Sequence, residues 1–156
     1  MSTPYTRTSR RILVVDDDPV ARLLVTSVLK KEGYTPVAVA DGCEALCVLK
    51  SDSDFGAAIF DVMMPRLGVV EIIRHMKTER RLMRIPVMLI TSERGLKLMA
   101  ESFAAGATVF LPKPFVTSQL LLMLRMLLDK SAGAAALAAK AQTIIERPVA
   151  TGTRRF

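Results

Sequence analysis

Five short apolar runs, each followed by a longer amphipathic segment, limit this chain to a small set of folds. Each run has the length of a buried strand, and each following segment repeats its apolar residues three and four positions apart, as a helix with one buried face does. The predicted strands are 11–15, 35–39, 57–61, 86–90 and 108–111, and the predicted helices are 20–32, 43–50, 69–78, 96–104 and 118–130. Strands that alternate with helices form a parallel sheet with right-handed crossovers. We therefore expect an α/β fold with one doubly wound, five-stranded parallel sheet.

The 156 residues suffice for one globular domain with flanking segments. Residues 1–10 are rich in Ser, Thr and Arg and are predicted to be a disordered lead, 11–130 the folded domain, and 131–156 a partly helical extension with a basic, disordered end. The net charge is +7, and six of these charges come from residues 1–11 and 131–156. Because the body is nearly neutral, we do not expect nucleic acid to be a partner.

The cysteines and the histidine give no set of metal ligands. Cys43 and Cys47 are four residues apart on a predicted helix, which puts both thiols on one face, and we expect them to be small buried side chains without a disulfide. His75, the only histidine, lies off the apolar stripe of its helix. The apolar run at 12–15 is too short for a signal sequence or a membrane span, so the sequence predicts a cytoplasmic protein.

A single carboxylate, Asp61, ends the third apolar run, and Pro65 follows closely. In a parallel sheet the crevice beyond the carboxyl ends of the strands is where ligands bind, so an aspartate there is placed for chemistry. Considered alone, Asp61 is better explained as a turn or capping residue. The polar residues at the ends of other strands decide between these interpretations.

The first strand ends on three adjacent carboxylates, Asp16, Asp17 and Asp18. Carboxylates so close together repel one another, and a hard divalent cation such as Mg²⁺ compensates them naturally. Pro19 suits the first position of a helix, where Asp18 would be the cap. We expect Asp18 to cap that helix while Asp16 and Asp17 face the crevice.

The fourth and fifth strands end near Thr91 and Lys113. Pro112 and Pro114 restrict the backbone around Lys113 and allow a cis peptide bond. Carboxylates to hold Mg²⁺, one carboxylate as a nucleophile, and a hydroxyl and an ammonium to bind oxygens are the groups that move a phosphoryl group. The sequence therefore predicts that Thr91 and Lys113 converge with Asp61 and the acidic residues of the first strand at one edge of the sheet.

These motifs resemble the receiver domain of two-component response regulators over about residues 10–130. The resemblance is carried by Ile12-Leu13-Val14-Val15-Asp16-Asp17-Asp18-Pro19, by Asp61 with Met64-Pro65, by Thr91-Ser92 and by Lys113-Pro114-Phe115. It implies a flavodoxin-like sheet with the strand order 2-1-3-4-5. It further implies that Asp61 is the phosphoacceptor and that Mg²⁺ is held by Asp16, Asp17, Asp61 and the backbone carbonyl of Met63.

The resemblance also implies that Thr91 and Lys113 engage the phosphoryl oxygens and that Phe110 occupies the aromatic switch position, without the hydroxyl of the commoner tyrosine. The chain departs from the family pattern at Gly68-Val69, where most members have Asp-Gly. A glycine that supplies a positive φ has then moved back by one residue, which alters the loop before the third helix and puts kinase docking there in question.

The resulting prediction is a stand-alone response regulator that is not an enzyme but a stoichiometric, Mg²⁺-dependent phosphoacceptor. A sensor histidine kinase or a histidine phosphotransfer protein would donate the phosphoryl group to Asp61, and the output would be a protein-protein contact. The alternative is an Mg²⁺-dependent phosphatase of the haloacid dehalogenase type with Asp16 as its nucleophile, which leaves Asp61 without a role. A flavin-binding protein would need a Ser/Thr/Gly-rich phosphate loop after the first strand. Three carboxylates occupy that place here, which disfavours this interpretation.

The last predicted helix is more apolar than one buried face requires. The residues expected to meet the sheet are Leu120, Leu121, Leu124, Leu127 and Leu128. Leu122 and Met126 then point outward, and Leu137 and Ile144 continue this stripe if the helix passes Gly133. We hypothesise that the helix extends and forms a homodimer through this stripe. The alternative is that Gly133 ends the helix.

Overall fold

The computed structural model describes residues 9–64, 66–92 and 96–129. Its strands are β1 (Arg11–Val15), β2 (Thr35–Val39), β3 (Ala57–Asp61), β4 (Val87–Thr91) and β5 (Val109–Pro112). Its helices are α1 (Pro19–Lys31), α2 (Gly42–Ser51), α3 (Val69–Thr78), α4 (Leu96–Ala105) and α5 (Thr117–Leu128). The predicted bounds differ from these by no more than two residues. Most of the predicted lead and the whole 131–156 extension, including Leu137 and Ile144, lie outside the described residues.

The five strands form one parallel sheet in the order β2-β1-β3-β4-β5, which confirms the predicted fold. In its register Val15 pairs with Val39 and with Phe60, and Thr91 pairs with Pro112. The carboxyl ends of the strands therefore lie along a single edge. None of the described helices is long and apolar enough to cross a membrane.

Two apolar layers cover the sheet because successive strand residues point to opposite faces. Leu13 and Phe60 belong to the layer that α2 and α3 help to form, and Ile12 and Ile59 belong to the layer that includes α1 and α5. All five residues of β3 and of β4 are buried. A sheet buried on both faces holds its strand ends rigidly, which suits a site built along that edge.

The predictions for α1 and α2 were wrong in detail. The apolar residues of the α1 sequence that lie three and four positions apart include Leu24, and this spacing predicts that Leu24 is buried. Its side chain is instead 51% exposed because the buried face is centred on Val25 and Leu29. Cys43 and Cys47 were expected to be buried and are both exposed. They do share one face of α2, but it is the face opposite the buried Gly42, Ala45 and Leu49.

The buried face of α5 is rotated from the predicted one. Met123 is fully buried, whereas Leu121 and Leu128 lie at the margin of the buried face. This rotation brings Met126, which was predicted to point outward, to an exposure of only 8%. Leu122 does point outward, with 39% of its surface exposed, so it is the one residue of the proposed dimer stripe that the described part of α5 exposes.

The first turn of α2 packs directly against the loop that follows β3. A Cβ atom added at Gly42 would overlap the carbonyl oxygen of Leu67 and would lie 3.0 Å from Cδ1 of Ile72. The sequence marks Gly42 only as a turn residue after Asp41. The structure makes it the first residue of α2, where its missing side chain lets two backbones meet.

We expect Gly42→Ala to lower the free energy of unfolding by about 1–3 kcal/mol, because the added methyl group must push backbone atoms apart. Helix propensity alone predicts the opposite sign, since alanine favours helices over glycine by about 1 kcal/mol. Urea unfolding measures the difference. Gly68→Ala is the matched control, since its Cβ would meet only the flexible carboxylate of Glu71. A Gly42→Ala variant as stable as the native chain would contradict the packing argument.

The loop before α3 differs from the expectation that Gly68 supplies a positive φ. Gly68 has φ −76° and ψ 159° and is the N-cap residue of α3, with no side chain to accept a hydrogen bond. The positive φ belongs to Arg66, at 66°. The left-handed residue is thus two positions earlier than expected, and it is not a glycine.

Candidate functional site

Three carboxylates converge at the carboxyl edge of the sheet. Asp16 follows β1 and is 3% exposed, Asp61 is the last residue of β3 and is 7% exposed, and Asp17 is exposed. Each offers one oxygen that lies within 4.8 Å of the other two. Residues 45 positions apart in sequence therefore form one acidic cluster, as the strand-end pattern predicts.

The turn after β1 is ordered by its own carboxylates. The backbone N–H of Asp18 donates to Oδ1 of Asp16 at 3.0 Å, and the N–H of Val20 donates to Oδ1 of Asp18 at 3.0 Å. Asp18 is therefore the N-cap of α1, as predicted. Arg22 donates from Nη1 to the backbone carbonyl of Asp16 at 2.7 Å. These contacts hold the Asp16 side chain toward the acidic cluster.

Lys113 approaches the cluster from the end of β5. Its Nζ lies 3.5 Å from Oδ2 of Asp61 and 4.0 Å from Oδ2 of Asp16. Its backbone N–H donates to the carbonyl of Thr91 at 2.8 Å, and the Lys113–Pro114 peptide bond is cis. One ammonium therefore faces two largely buried carboxylates.

The two oxygens of Asp61 have different partners. Oδ2 faces Lys113, and Oδ1 accepts a hydrogen bond from the backbone N–H of Met63 at 3.1 Å. The Met63 side chain is 43% exposed and puts no charge beside the carboxylates. The Met63 backbone is thus already in contact with the Asp61 carboxylate.

The pKa of Asp16 is raised to about 6, chiefly by burial and to a lesser extent by the neighbouring Asp61 carboxylate. The N–H of Asp18 and the Lys113 ammonium act in the opposite direction but do not restore the ordinary pKa. Asp16 is thus a buried carboxylate with too little positive charge around it. A hard divalent cation with oxygen ligands fits this deficit and the spacing of the three carboxylates.

Thr91 is the last residue of β4, and Phe110 is the second residue of the neighbouring strand β5. Thr91 is 1% exposed, and its hydroxyl donates to the carbonyl of Ser92 at 2.9 Å. The half-buried Phe110 ring packs edge-to-face against Phe103 of α4, with 5.5 Å between ring centroids and 81° between ring planes. The sequence prediction missed Phe103 because its position on the helix does not reveal that it meets Phe110.

A cavity of about 450 Å³ opens beside the acidic cluster, between α1 and the segment after β5. Its apolar walls include Leu24, Val25, Ile90, Pro114 and Phe115. Asp16 and Lys113 contribute to its polar lining, so the cavity adjoins the cluster.

Three exposed apolar side chains lie on α1 and on the segment after β5, the two parts of the chain that border this cavity. Val20 is 74% exposed, Leu23 is 66% exposed and Val116 is 60% exposed. The sequence prediction missed this surface. Its only signal was the apolar character of Val20 and Leu23, which lie off the buried stripe of α1.

Comparisons with known proteins agree with this geometry. The family model described as the response regulator receiver domain matches residues 12–125. The response regulator MprA of Mycobacterium ulcerans is 37% identical over 123 residues, which are 79% of this chain and 52% of MprA. The chain thus spans about half the length of the curated relatives it matches.

Two solved structures are similar over most of the described residues. Chemotaxis response regulator CheY4 of Vibrio cholerae is 32% identical, with a TM-score of 0.71 and coverage of 77% of this chain and 99% of CheY4. The receiver domain of sensor histidine kinase PA1611 from Pseudomonas aeruginosa PAO1 is 25% identical, with a TM-score of 0.70 and coverage of 77% and 98%. That receiver domain is described with a magnesium ion coordinated in its active site cleft.

Proposed function

This chain belongs to the response regulator receiver family, and we propose that it accepts a phosphoryl group on Asp61 and passes the signal on through a protein contact. The observation that carries the proposal is the approach of the Lys113 ammonium to the Asp61 carboxylate, 3.5 Å away within a cluster of three acids. The donor would be a phosphohistidine on a sensor histidine kinase or a histidine phosphotransfer protein.

The transfer needs one bond to form and one to break. An oxygen of Asp61 attacks phosphorus, the bond between phosphorus and the donor imidazole nitrogen breaks, and that nitrogen keeps the electron pair. Charge accumulates on the phosphoryl oxygens, where the Lys113 ammonium can stabilise it. The N–H of Met63, 3.1 Å from Oδ1, orients the attacking carboxylate.

Asp16, Asp17, Asp61 and the backbone carbonyl of Met63 would hold Mg²⁺. The buried, proton-retaining Asp16 and the spacing of the three carboxylates support this assignment. When bound, the ion supplies positive charge that neutralises the carboxylates and the incoming phosphoryl oxygens. The turn at Asp18 orients the Asp16 carboxylate, because the N–H of Asp18 donates to Oδ1 of Asp16.

Phosphorylation would be read out through Thr91 and Phe110. The Thr91 hydroxyl donates to the carbonyl of Ser92, so it must leave that acceptor to donate to a phosphoryl oxygen. In this proposal, movement of Thr91 would free space beside β5, and the Phe110 ring would leave its contact with Phe103. An added charge of about −1.5 to −2 is sufficient to drive rearrangements of this kind.

In this proposal the chain is a stoichiometric acceptor and not an enzyme with turnover. The comparisons give no support to a haloacid dehalogenase-type phosphatase, in which Asp16 would be the nucleophile. A stand-alone mode of action, a cytoplasmic location and a homodimer through α5 and its extension belong to the same proposal and stay predictions.

Labelling with a small phosphodonor tests the proposal without a protein partner. Acetyl phosphate and Mg²⁺ should add one phosphoryl group to the chain, and peptide mapping after borohydride reduction should find it on Asp61. Chelation of Mg²⁺ before addition should prevent the labelling. Modification of a residue other than Asp61 would overturn the assignment.

The exposed apolar surface beside the site supports a protein donor. Any donor must bring an imidazole to Asp61 and must therefore cover the edge of the sheet next to α1. Val20, Leu23 and Leu24 are on one side of α1 there and are 74%, 66% and 51% exposed. A few well-buried side chains at the centre of an interface carry most of its binding energy, and truncation of one of them costs more than about 1 kcal/mol.

We expect Leu23→Gln to slow phosphotransfer from the cognate phosphorylated kinase about tenfold while labelling by acetyl phosphate is unchanged. The reason is that the variant removes an apolar contact with the donor and leaves the carboxylates intact. Transfer rates with each sensor kinase of the source organism identify the donor and measure the effect. Met83→Gln is the control, since Met83 is 49% exposed but precedes β4 at the opposite edge of the sheet. Equal losses in both variants would contradict a docking role for α1.

A further inference from the structure

The loop between β3 and α3, of which the structure describes residues 62–64 and 66–68, contains an arginine in an unfavourable backbone conformation. Arg66 has φ 66°, and among the described residues it is the only non-glycine residue with a positive φ. Glycine and asparagine adopt this conformation more readily than arginine does. Some contact of the Arg66 side chain must therefore offset the backbone cost.

That contact is an ion pair with the first turn of α2. Nη1 of Arg66 lies 3.3 Å from Oδ2 of Asp41. The other oxygen of Asp41 accepts the N–H of Glu44 at 2.9 Å, and Glu44 in turn accepts the N–H of Ala40 at 3.0 Å. The hydrogen bond from Glu44 fixes the Asp41 carboxylate, whose side chain is only 13% exposed. Arg66 thus binds an ordered partner, unlike the typical pair of mobile surface side chains.

A second contact joins the same loop to the same helix turn. The Leu67 carbonyl lies against Gly42, where a Cβ atom would overlap it. At the other end of the loop, the N–H of Met63 donates to Oδ1 of Asp61. The loop is therefore attached to the phosphoacceptor at its start and to α2 near its end, and only a few residues separate the two attachments.

We propose that Arg66 is a positioning residue: its ion pair with Asp41 holds the loop against α2 and so sets the Met63 backbone beside Asp61 for metal binding. The inference rests on the proposed function, because it assigns the Met63 carbonyl to Mg²⁺. Arg66 touches neither the metal ligands nor the phosphoryl group. It acts only through the loop that carries Met63.

Mg²⁺ titration of the full chain, followed by the backbone amide resonance of Met63, tests this without any phosphoryl transfer. Arg66→Gln removes the charge and keeps the length of the side chain. Asp41→Asn removes the charge and keeps an N-cap residue. Each variant should raise the Kd for Mg²⁺ about two- to fivefold at low salt, and the double variant should raise it no further than either single one.

Two controls separate positioning from a general loss of stability. Arg74→Gln removes an exposed arginine from α3 and should leave the Kd unchanged. The free energy of unfolding should also be measured for every variant. The order of the variants by this free energy should differ from their order by Mg²⁺ affinity. The Arg66 end of the pair is 65% exposed, so the ratio of variant to native Kd should approach one as salt rises.

An unchanged Kd in Arg66→Gln, or effects of the two single variants that simply add, would overturn the positioning role. Failure of the proposed function looks different. In that case the native chain binds Mg²⁺ with the predicted dependence on Arg66 but acquires no phosphoryl group on Asp61.

Discussion

Asp61→Asn should reduce labelling by acetyl phosphate at least about a hundredfold, because the amide cannot act as the nucleophile. The substitution keeps the size of the side chain, and its oxygen can still accept the N–H of Met63. The folded sheet should therefore survive the change. Initial rates of phosphoryl incorporation at saturating Mg²⁺, measured by intact mass, give the size of the loss.

Asp54→Asn is the matched control for this variant. Asp54 precedes β3 at the opposite edge of the sheet, so its replacement changes the net charge equally without touching the acidic cluster. It should label at the native rate. Labelling of Asp61→Asn at a comparable rate would mean that another group is the acceptor. Asp16 is the first candidate, since it lies in the same cluster.

The fold was predictable because its determinants are local and repeated. Every strand is a run of apolar residues, and every helix carries its own apolar stripe, so each element is readable within about a dozen residues. Their alternation then dictates a parallel sheet. The convergence of Asp16, Asp61 and Lys113 follows from the same rule, because the carboxyl ends of parallel strands share one edge.

The details that were missed depend on contacts between distant segments. Whether Met126 faces inward depends on the rotation of α5 about its own axis relative to the sheet. A rotation by a few tens of degrees is enough to expose or bury this side chain. Arg66, which has a positive φ, contacts Asp41, 25 residues earlier. Rotation of helices and loop conformation are tertiary properties, so sequence patterns specify them poorly.

Asp16→Asn should stabilise the metal-free protein above pH 6 and change it little near pH 4. The native fold raises the pKa of Asp16 from 3.8 to about 6, so the folded state retains a proton that the unfolded chain has already released. As pH rises between these two values, the native chain loses free energy of unfolding. The loss reaches about 3 kcal/mol, which follows from a shift of about two units at roughly 1.4 kcal/mol each. Asparagine carries no charge at any of these pH values and avoids the loss.

Urea unfolding in the presence of a chelator, at pH 4, 6 and 8, measures the difference between Asp16→Asn and the native chain. Asp17→Asn is the control, because Asp17 directly follows Asp16, carries the same charge and is exposed. A difference for Asp16→Asn that is equal at all three pH values would show that Asp16 titrates normally. Mg²⁺ at about a thousandfold its Kd should reverse the ranking, because it then stabilises the native chain by about 4.1 kcal/mol, which exceeds the loss of about 3 kcal/mol. A variant that has lost a carboxylate ligand gains less. The same buried carboxylate that destabilises the empty fold is thus what makes the site favourable for a cation.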